Sequence, residues 1–285
     1  MTRKPLRVLS LFDGISAGYV ALQEAGLAIE KYFASEIDED AIRISKINSK
    51  GGICHLGGVE QIDENVIRAI GPIDLLIGGS PCVDLSLVNP ARKGLFDSQG
   101  TGHLFFEYIR ILHLVRMEYK NVIFLFENTA AMPEIFKDTI SHFLECDPIK
   151  INSKAFSPQI RARYFWGNIP NMKLLKKKVD TTNIKLANFI SPFCNRVAIV
   201  EKIRTITTNS NSLSQGKERI PAVMMEGEYN NLWITEIERI FGFATHYTDV
   251  GNISLRKRLL LLGNSWSVAT VKEIFYSLRN HFCTT

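Results

Sequence analysis

No run of about 20 consecutive apolar residues occurs anywhere in this chain, so the sequence offers no membrane-spanning helix. Cysteine is scarce. The five present (Cys54, Cys82, Cys146, Cys194 and Cys283) are odd in number and scattered in spacing, which argues against a disulfide framework. No two of them stand at metal-ligand spacing, so no metal is expected. A reducing, intracellular setting follows as an expectation, and it would keep a thiol reactive. The opening residues Met1-Thr2-Arg3-Lys4-Pro5 lead straight into a strand-like run, so no secretory leader is expected. Internal repeats and low-complexity segments are also missing. What remains, 285 residues with 46% hydrophobic and 22% charged, is an ordinary globular composition long enough for a full core.

Charge is unevenly placed. The net value is +5, yet residues 150–219 hold fourteen Lys/Arg against Asp180, Glu201 and Glu218. A charge run is commonly just a solvated face. A segment this one-sided raises the prospect of a polyanionic partner such as nucleic acid.

Along the chain, strand and helix signals alternate. Strands are predicted at Arg7–Phe12, Ile29–Ser35, weakly at Ile53–His55, at Pro72–Ile77 and at Val122–Phe126. Helices are predicted at Tyr19–Ala25, Asp38–Asn48, Ile62–Ile70 and His103–Met117. That alternation predicts an α/β fold with a doubly wound, mostly parallel sheet. Past Pro170 the pattern loosens into a basic, weakly periodic stretch and the polar run Thr205–Ser212, read as a smaller region that contacts a partner. Helices return at Leu232–Phe241, with Glu236 and Glu238 on the exposed side, at Arg256–Leu262, stopped by Gly263, and at Ser267–Phe282. The last carries an apolar stripe of Val268, Val271, Phe275 and Leu278.

Ligands of such sheets sit beyond the C-terminal strand ends. Four features fall there: the glycine turn after strand one, Glu36 after strand two, the loop Gly78–Ser86 after strand four, and Glu127-Asn128 after strand five. The loop presents Cys82 just after Pro81, whose ring fixes the backbone. A free cysteine is more often a small buried hydrophobe than a nucleophile. The convergence of four features at one sheet edge favours the nucleophile here.

These residues, in order, carry a resemblance. Phe12-Asp13-Gly14 with Gly18, Pro81-Cys82, Glu127-Asn128, Gln159-Ile160-Arg161-Ala162-Arg163 and Gly263-Asn264-Ser265-Trp266-Ser267 resemble the motifs of DNA cytosine-5 methyltransferases. Closer phrases, Val88–Gly94, Arg161–Asn168 and His246-Tyr247-Thr248-Asp249, resemble the catalytic domain of the animal de novo enzymes. The similarity spans nearly the whole chain, so a catalytic domain alone is expected. It implies a Rossmann-like class I S-adenosylmethionine-dependent methyltransferase, with a core at 6–170 and 246–285 and a target-recognition region at 171–245. By the same resemblance Cys82 adds to cytosine C6, Glu127 supplies a proton at N3, Arg163 lies beside the base, and Arg161 supports it or holds a phosphate. S-adenosylmethionine, leaving as S-adenosylhomocysteine, would lie against Phe12, Asp13, Gly14, Ile15, Glu36, Ile37, Asn264, Ser265 and Trp266. Double-stranded DNA, with the target base flipped out, would meet Ser86, Val88, Asn89, Arg92, Lys93, Arg204, Thr208, Asn209 and Asn211. Phe105 and Phe106 resemble one pairing interface, and His246, Asp249 and Arg258 a second. They imply a homodimer, a homotetramer or a hetero-oligomer with a related subunit, in the nucleus and away from membranes.

Three positions depart from the family pattern. Gly58 stands where the family carries an Asp that holds the adenine amino group, which predicts weak cofactor binding. Val83 replaces an amide residue after the cysteine, and Asn209 replaces an arginine that reads the guanine of CpG, so CpG preference is expected to relax. They leave room for a catalytically weak or silent paralogue that stimulates an active partner. Retention of Cys82, Glu127, Arg161, Arg163 and Asn264 argues for the enzyme. A transfer-RNA methyltransferase shares the Pro-Cys and Glu-Asn motifs, but the Arg-Lys-Gly phrase and the basic stretch favour DNA.

Overall fold

Short apolar runs alternate with amphipathic ones through the first half of the chain, and the elements form accordingly. A computed structural model describes residues 3–177 and 184–285; Lys178 and Asp180 of the basic stretch lie outside them. The first half builds β1 (Leu6–Leu11), α1 (Ala17–Glu24), β2 (Ile29–Ser35), α2 (Glu39–Ser49), β3 (Ile53–Gly57), α3 (Glu64–Ile70), β4 (Leu75–Gly78), α4 (Leu104–Glu118) and β5 (Ile123–Thr129). Helix starts are set by side chains. Asp38 accepts from the N–H groups of Asp40 and Ala41 to open α2, and Asp63 accepts from Val66 to open α3. After α5 (Glu134–Leu144), three strands follow: β6 (Ile149–Asn152), β7 (Gln159–Ile160) and β8 (Ala162–Gly167).

Seven strands form one sheet in the order β3-β2-β1-β4-β5-β8-β6. β1, β2, β3, β4 and β5 pair in parallel, while β8 runs antiparallel to both β5 and β6. The chain steps outward from β1 in one direction to β2 and β3, and in the other to β4 and β5. The crevice between the C-terminal ends of β1 and β4 is therefore the topological switch point, where open α/β sheets bind ligands. The weakly predicted third strand is a full member of the sheet, paired from Ile53 to Gly57 with β2. Glu127 and Asn128 lie inside β5 rather than after it. Cross-strand pairing to β8, with Glu127 opposite Phe165 and Thr129 opposite Arg163, extends the strand past its apolar stretch.

The remaining strands are short: β9 (Val197–Ala198), β10 (Ile203–Arg204), β11 (Ser214–Gln215), β12 (Ile220–Pro221), β13 (Val223–Met225) and β14 (Glu228–Asn230). They carry no core of their own. Leu186, Ile203, Ile206, Ala222, Val223 and Leu232 join one buried cluster with Leu6, Val8, Leu22 and Ile77 of the main sheet. α6 (Ile234–Phe241), α7 (Leu255–Asn264) and α8 (Val268–Phe275) complete the chain. α7 continues through Gly263, and the final helix gives way at Tyr276 to a 3-10 turn. Its predicted stripe of Val268, Val271, Phe275 and Leu278 is buried. No helix among the described residues is long and apolar enough to cross a membrane.

α6 corrects one expectation. Glu236 and Glu238 are both 0% exposed. Periodicity placed them opposite the apolar face, but each has a buried cation waiting. Glu236 meets Arg196 at 2.8 Å and accepts from the N–H groups of Ser191 and Trp233. Glu238 meets Arg258 at 3.2 Å and accepts from His246, Thr248 and the Thr248 hydroxyl. A buried ion pair contributes little net stability, but removing one partner strands the other charge, at about 3–5 kcal/mol. We therefore expect Glu236→Ala to lower unfolding free energy by about that amount in urea titration, and Glu238→Ala to behave alike. A change near zero in both would contradict their interior placement.

Candidate active site

β4 ends at Gly78, and the chain turns through Gly79, Ser80 and Pro81 to Cys82 at the switch point. Asn128 of β5 anchors that turn, donating through Nδ2 to the Ser80 carbonyl at 3.1 Å. Beyond Cys82 the loop is cinched by Asp84, whose carboxylate accepts from the N–H groups of Lys93 and Thr101 and from the Thr101 hydroxyl. The Thr101 backbone bond leads the effects that hold the Asp84 carboxyl below the usual range. Burial pushes the Cys82 thiol up; Arg163 and then Arg161 oppose it, while Glu127 adds to it.

Glu127 sits between two donors. Its Oε1 is 3.0 Å from Arg163 Nε, and its Oε2 accepts from Trp266 Nε1 at 2.9 Å. Burial raises its pKa, outweighing Arg163, Arg161 and the Trp266 bond, all of which favour the carboxylate. The register of β5 against β8 explains the pairing. Arg163 is opposite Thr129, one same-face step from Glu127. Glu127 lies within a strand, so its carboxylate does not serve as a helix cap.

Arg161 is not placed as a phosphate clamp. It is buried, and its guanidinium donates to the carbonyls of Ile206, Gly263 and Ser265 at 2.9, 3.1 and 2.8 Å. No phosphate can compete for groups so placed. Arg161 positions the segments around Arg163 and Trp266.

A cleft of about 310 Å³ runs along the switch point, a size suited to a small ligand. Phe12, Asp13, Gly14, Glu36, Ile37, Cys82, Glu127, Arg163, Asn264, Ser265 and Trp266 are among its lining residues. Ile15 is not. It is 1% exposed in the core, its carbonyl taken by the Tyr247 hydroxyl. Glu36 accepts from the N–H groups of Gly14, Ile37 and Asp38. The Asp13 side chain turns inward to the hydroxyls of Ser10, Ser16 and Tyr32, and burial raises its pKa to about 6.

Against known proteins, residues 6–147 match the family described as C-5 cytosine-specific DNA methylase. The chain is a member of that family. It is 36% identical over 212 residues to an orphan methyltransferase of Bacillus phage rho11s, covering 65% of this chain and 40% of the relative. It is 35% identical over 127 residues to the DNA (cytosine-5)-methyltransferase DRM1 of Arabidopsis thaliana, covering 41% and 20%. The chain thus spans two fifths or less of the curated relatives it matches. Among solved structures, the Entamoeba histolytica methyltransferase EhMeth superposes with a TM-score of 0.72 at 15% identity, covering 98% of this chain and 99% of that one. The S. pombe Dnmt2 methyltransferase superposes at 0.70 with 16% identity, over 97% and 99%. These likenesses carry the fold, the class I methyltransferase sheet.

Elsewhere in this family member, the loop after Cys82 leaves Val88 78% exposed, with Ser86, Asn89 and Arg92 half-buried and Lys93 at the surface. Thr208, Asn209 and Asn211 are exposed on the polar loop, and Asn209 caps its 3-10 turn by accepting from the Asn211 N–H. Arg204 donates to the carbonyls of Asn211 and Ser212. That loop crosses the cleft wall at Gly263, where a Cβ would stand 2.5 Å from the Thr207 carbonyl carbon.

The interface residues divide. Phe105 is 0% exposed, packed on Phe126, and cannot meet a partner; Phe106 is half-buried beside Phe96 and Phe143. Arg258 is interior, bonded to Glu238, Thr248 and Asp249, while His246 and Asp249 are exposed. Hydropathy alone cannot separate a buried aromatic pair from an interfacial one.

Two contacts escaped sequence reasoning: the Trp266–Glu127 bond, which joins positions 139 residues apart, and the Asp84 cinch. An Asp between Val83 and Leu85 was the only available sign of the second. Because Arg163 favours the Cys82 thiolate, Arg163→Gln should move the pH midpoint of Cys82 alkylation by iodoacetamide upward. Mass spectrometry of the labelled peptide reads this directly. An unmoved midpoint would show that the guanidinium does not act on the thiol.

Proposed function

We propose that the protein methylates C5 of a flipped-out cytosine in double-stranded DNA, using S-adenosylmethionine. The observation that carries this is the placement of Cys82, Glu127 and Arg163 at one mouth of a cleft whose other walls suit a nucleoside. The cofactor, when bound, supplies the methyl group. The donor set fits it: Glu36 keeps a carboxylate at the end of β2 for ribose hydroxyls, and Trp266 and Phe12 offer aromatic surface.

Cys82 adds through its thiolate to C6, and the ring electrons move toward N3, where Glu127 delivers its proton. C5 is then an enamine carbon and takes the methyl group. Water accepts the C5 proton, the returning electrons expel the Cys82 thiolate, and the N3 proton passes back to Glu127, which restores both groups and leaves a neutral base. Arg163 serves both ends of this sequence. It favours the thiolate, and it holds Glu127 until a base competes for the carboxyl. Val88 and the cinched loop suit the space vacated by the base. Asn209, its acceptor spent on the cap, leaves only an amide donor for a base edge, which fits a CpG preference weaker than an arginine would give. The phrases shared with the animal de novo enzymes support action on unmethylated duplexes in the nucleus.

The test is transfer of labelled methyl from S-adenosylmethionine to duplexes containing CpG, CpA or no cytosine. Label should enter the first two, faster for CpG, and Cys82→Ala should lose about three orders of magnitude or more. No label on any cytosine duplex would favour the silent-paralogue reading, and label surviving Cys82→Ala would remove the adduct mechanism.

In the same assay Trp266→Phe should move the alkaline limb of kcat to higher pH. The sign follows from roles: Glu127 works protonated, and the lost N–H no longer favours its carboxylate.

A further inference from the structure

The reacting groups gather at one end of the cleft; the other end, past Glu36, is walled by Ile37, Val59 and Glu60. In a sheet of this order a carboxylate closing β2 takes ribose hydroxyls, so a nucleoside seated there aims its base at this far end. Ile37, 74% exposed, and Val59 supply apolar contact for the faces of a ring. The ring's edge needs a polar partner, since an unmet donor costs binding.

The other acids of the cleft are already engaged. Glu36 accepts from three N–H groups, Asp13 from three hydroxyls, and Asp38 pairs with Lys257 at 2.6 Å while capping α2. Glu60 differs: among the described residues no hydrogen bond or ion pair engages its carboxylate. Its carboxylate lies over Gly58. A Cβ on that residue would fall 2.5 Å from Glu60 Oε2 and 3.1 Å from its Cδ. Gly58 has φ −72, ordinary for any residue, so the backbone does not demand glycine. What the missing side chain provides is room for the Glu60 carboxylate.

We propose that Glu60 selects the purine of the methyl donor, its carboxylate accepting a hydrogen bond from the exocyclic amino group of adenine. This rests on the S-adenosylmethionine reading. It also replaces the expectation of weak binding that follows from Gly58 alone, because a carboxylate from two residues further on occupies the space that Gly58 leaves.

Calorimetry on the full chain tests it, with S-adenosylhomocysteine and S-inosylhomocysteine, in which an oxo group replaces the purine amino group. The wild type should prefer the adenosyl compound by about tenfold or more. Glu60→Ala should bind it about 5–20-fold more weakly and lose the preference, and Glu60→Gln, which keeps an acceptor oxygen, should fall between. Glu60 is exposed and has no internal partner, so the variants should share the wild-type unfolding midpoint. An unchanged preference in Glu60→Ala, with S-adenosylhomocysteine still bound, overturns the role of Glu60 alone. Failure of the wild type to bind either compound overturns the cofactor reading, and this assignment with it.

Discussion

Three stretches distant in sequence converge on the guanidinium of Arg161. The carbonyls it gathers belong to Ile206, at the edge of the polar loop, and to Gly263 and Ser265, at the end of α7. Arg161 itself sits at the step between β7 and β8, and β8 carries Arg163 two residues on. One buried cation therefore sets how the polar loop, the cleft wall and Arg163 sit relative to one another. Its face also lies 5.2 Å from the Phe241 ring, which ties α6 to the same point. A charge this deep is tolerated because it has partners for its donors; without them the desolvation cost would dominate.

Around that clamp the site resolves a conflict of ionisation. A thiol nucleophile is useful as the anion, while a proton donor is useful neutral. Arg163 pulls both Cys82 and Glu127 toward their charged forms, and burial pushes both toward neutrality. Burial wins for both. The acid is thereby kept suited to donation, and the thiol is held in reserve with a cation beside it. Reactivity then depends on what enters the cleft, since displacing water strengthens every charge interaction inside it.

Much of this was legible in the residues. Strand–helix alternation gave the parallel sheet, and four polar or glycine features at strand ends converged on the cleft. What periodicity could not give was the destination of charged side chains on amphipathic helices. Glu236 and Glu238 look solvent-facing because a helical wheel knows nothing of Arg196 and Arg258. For Arg161 the choice between supporting Arg163 and holding a phosphate stayed open for a similar reason, since its partners are carbonyls that no sequence pattern announces. Ile15 and Phe105 show the reverse error: each lies beside functional residues, but on the inward face. The motif order located the site, and tertiary hydrogen bonds decided which member of each motif touches it.

The shared core carries a consequence for specificity. Residues 171–245 look exchangeable on composition, yet Leu186, Ile203, Ile206, Val223 and Leu232 are packed into the same interior as the main sheet. Swapping that whole region for a relative's would cut through the protein's central packing. The loop that exposes Thr208, Asn209 and Asn211 is different. It is held at one side by Arg161 on the Ile206 carbonyl and at the other by the Ser212 hydroxyl, which accepts from the Thr207 N–H. Under the proposed function, sequence preference in this protein is therefore portable as a short graft between two fixed posts, and not as a module.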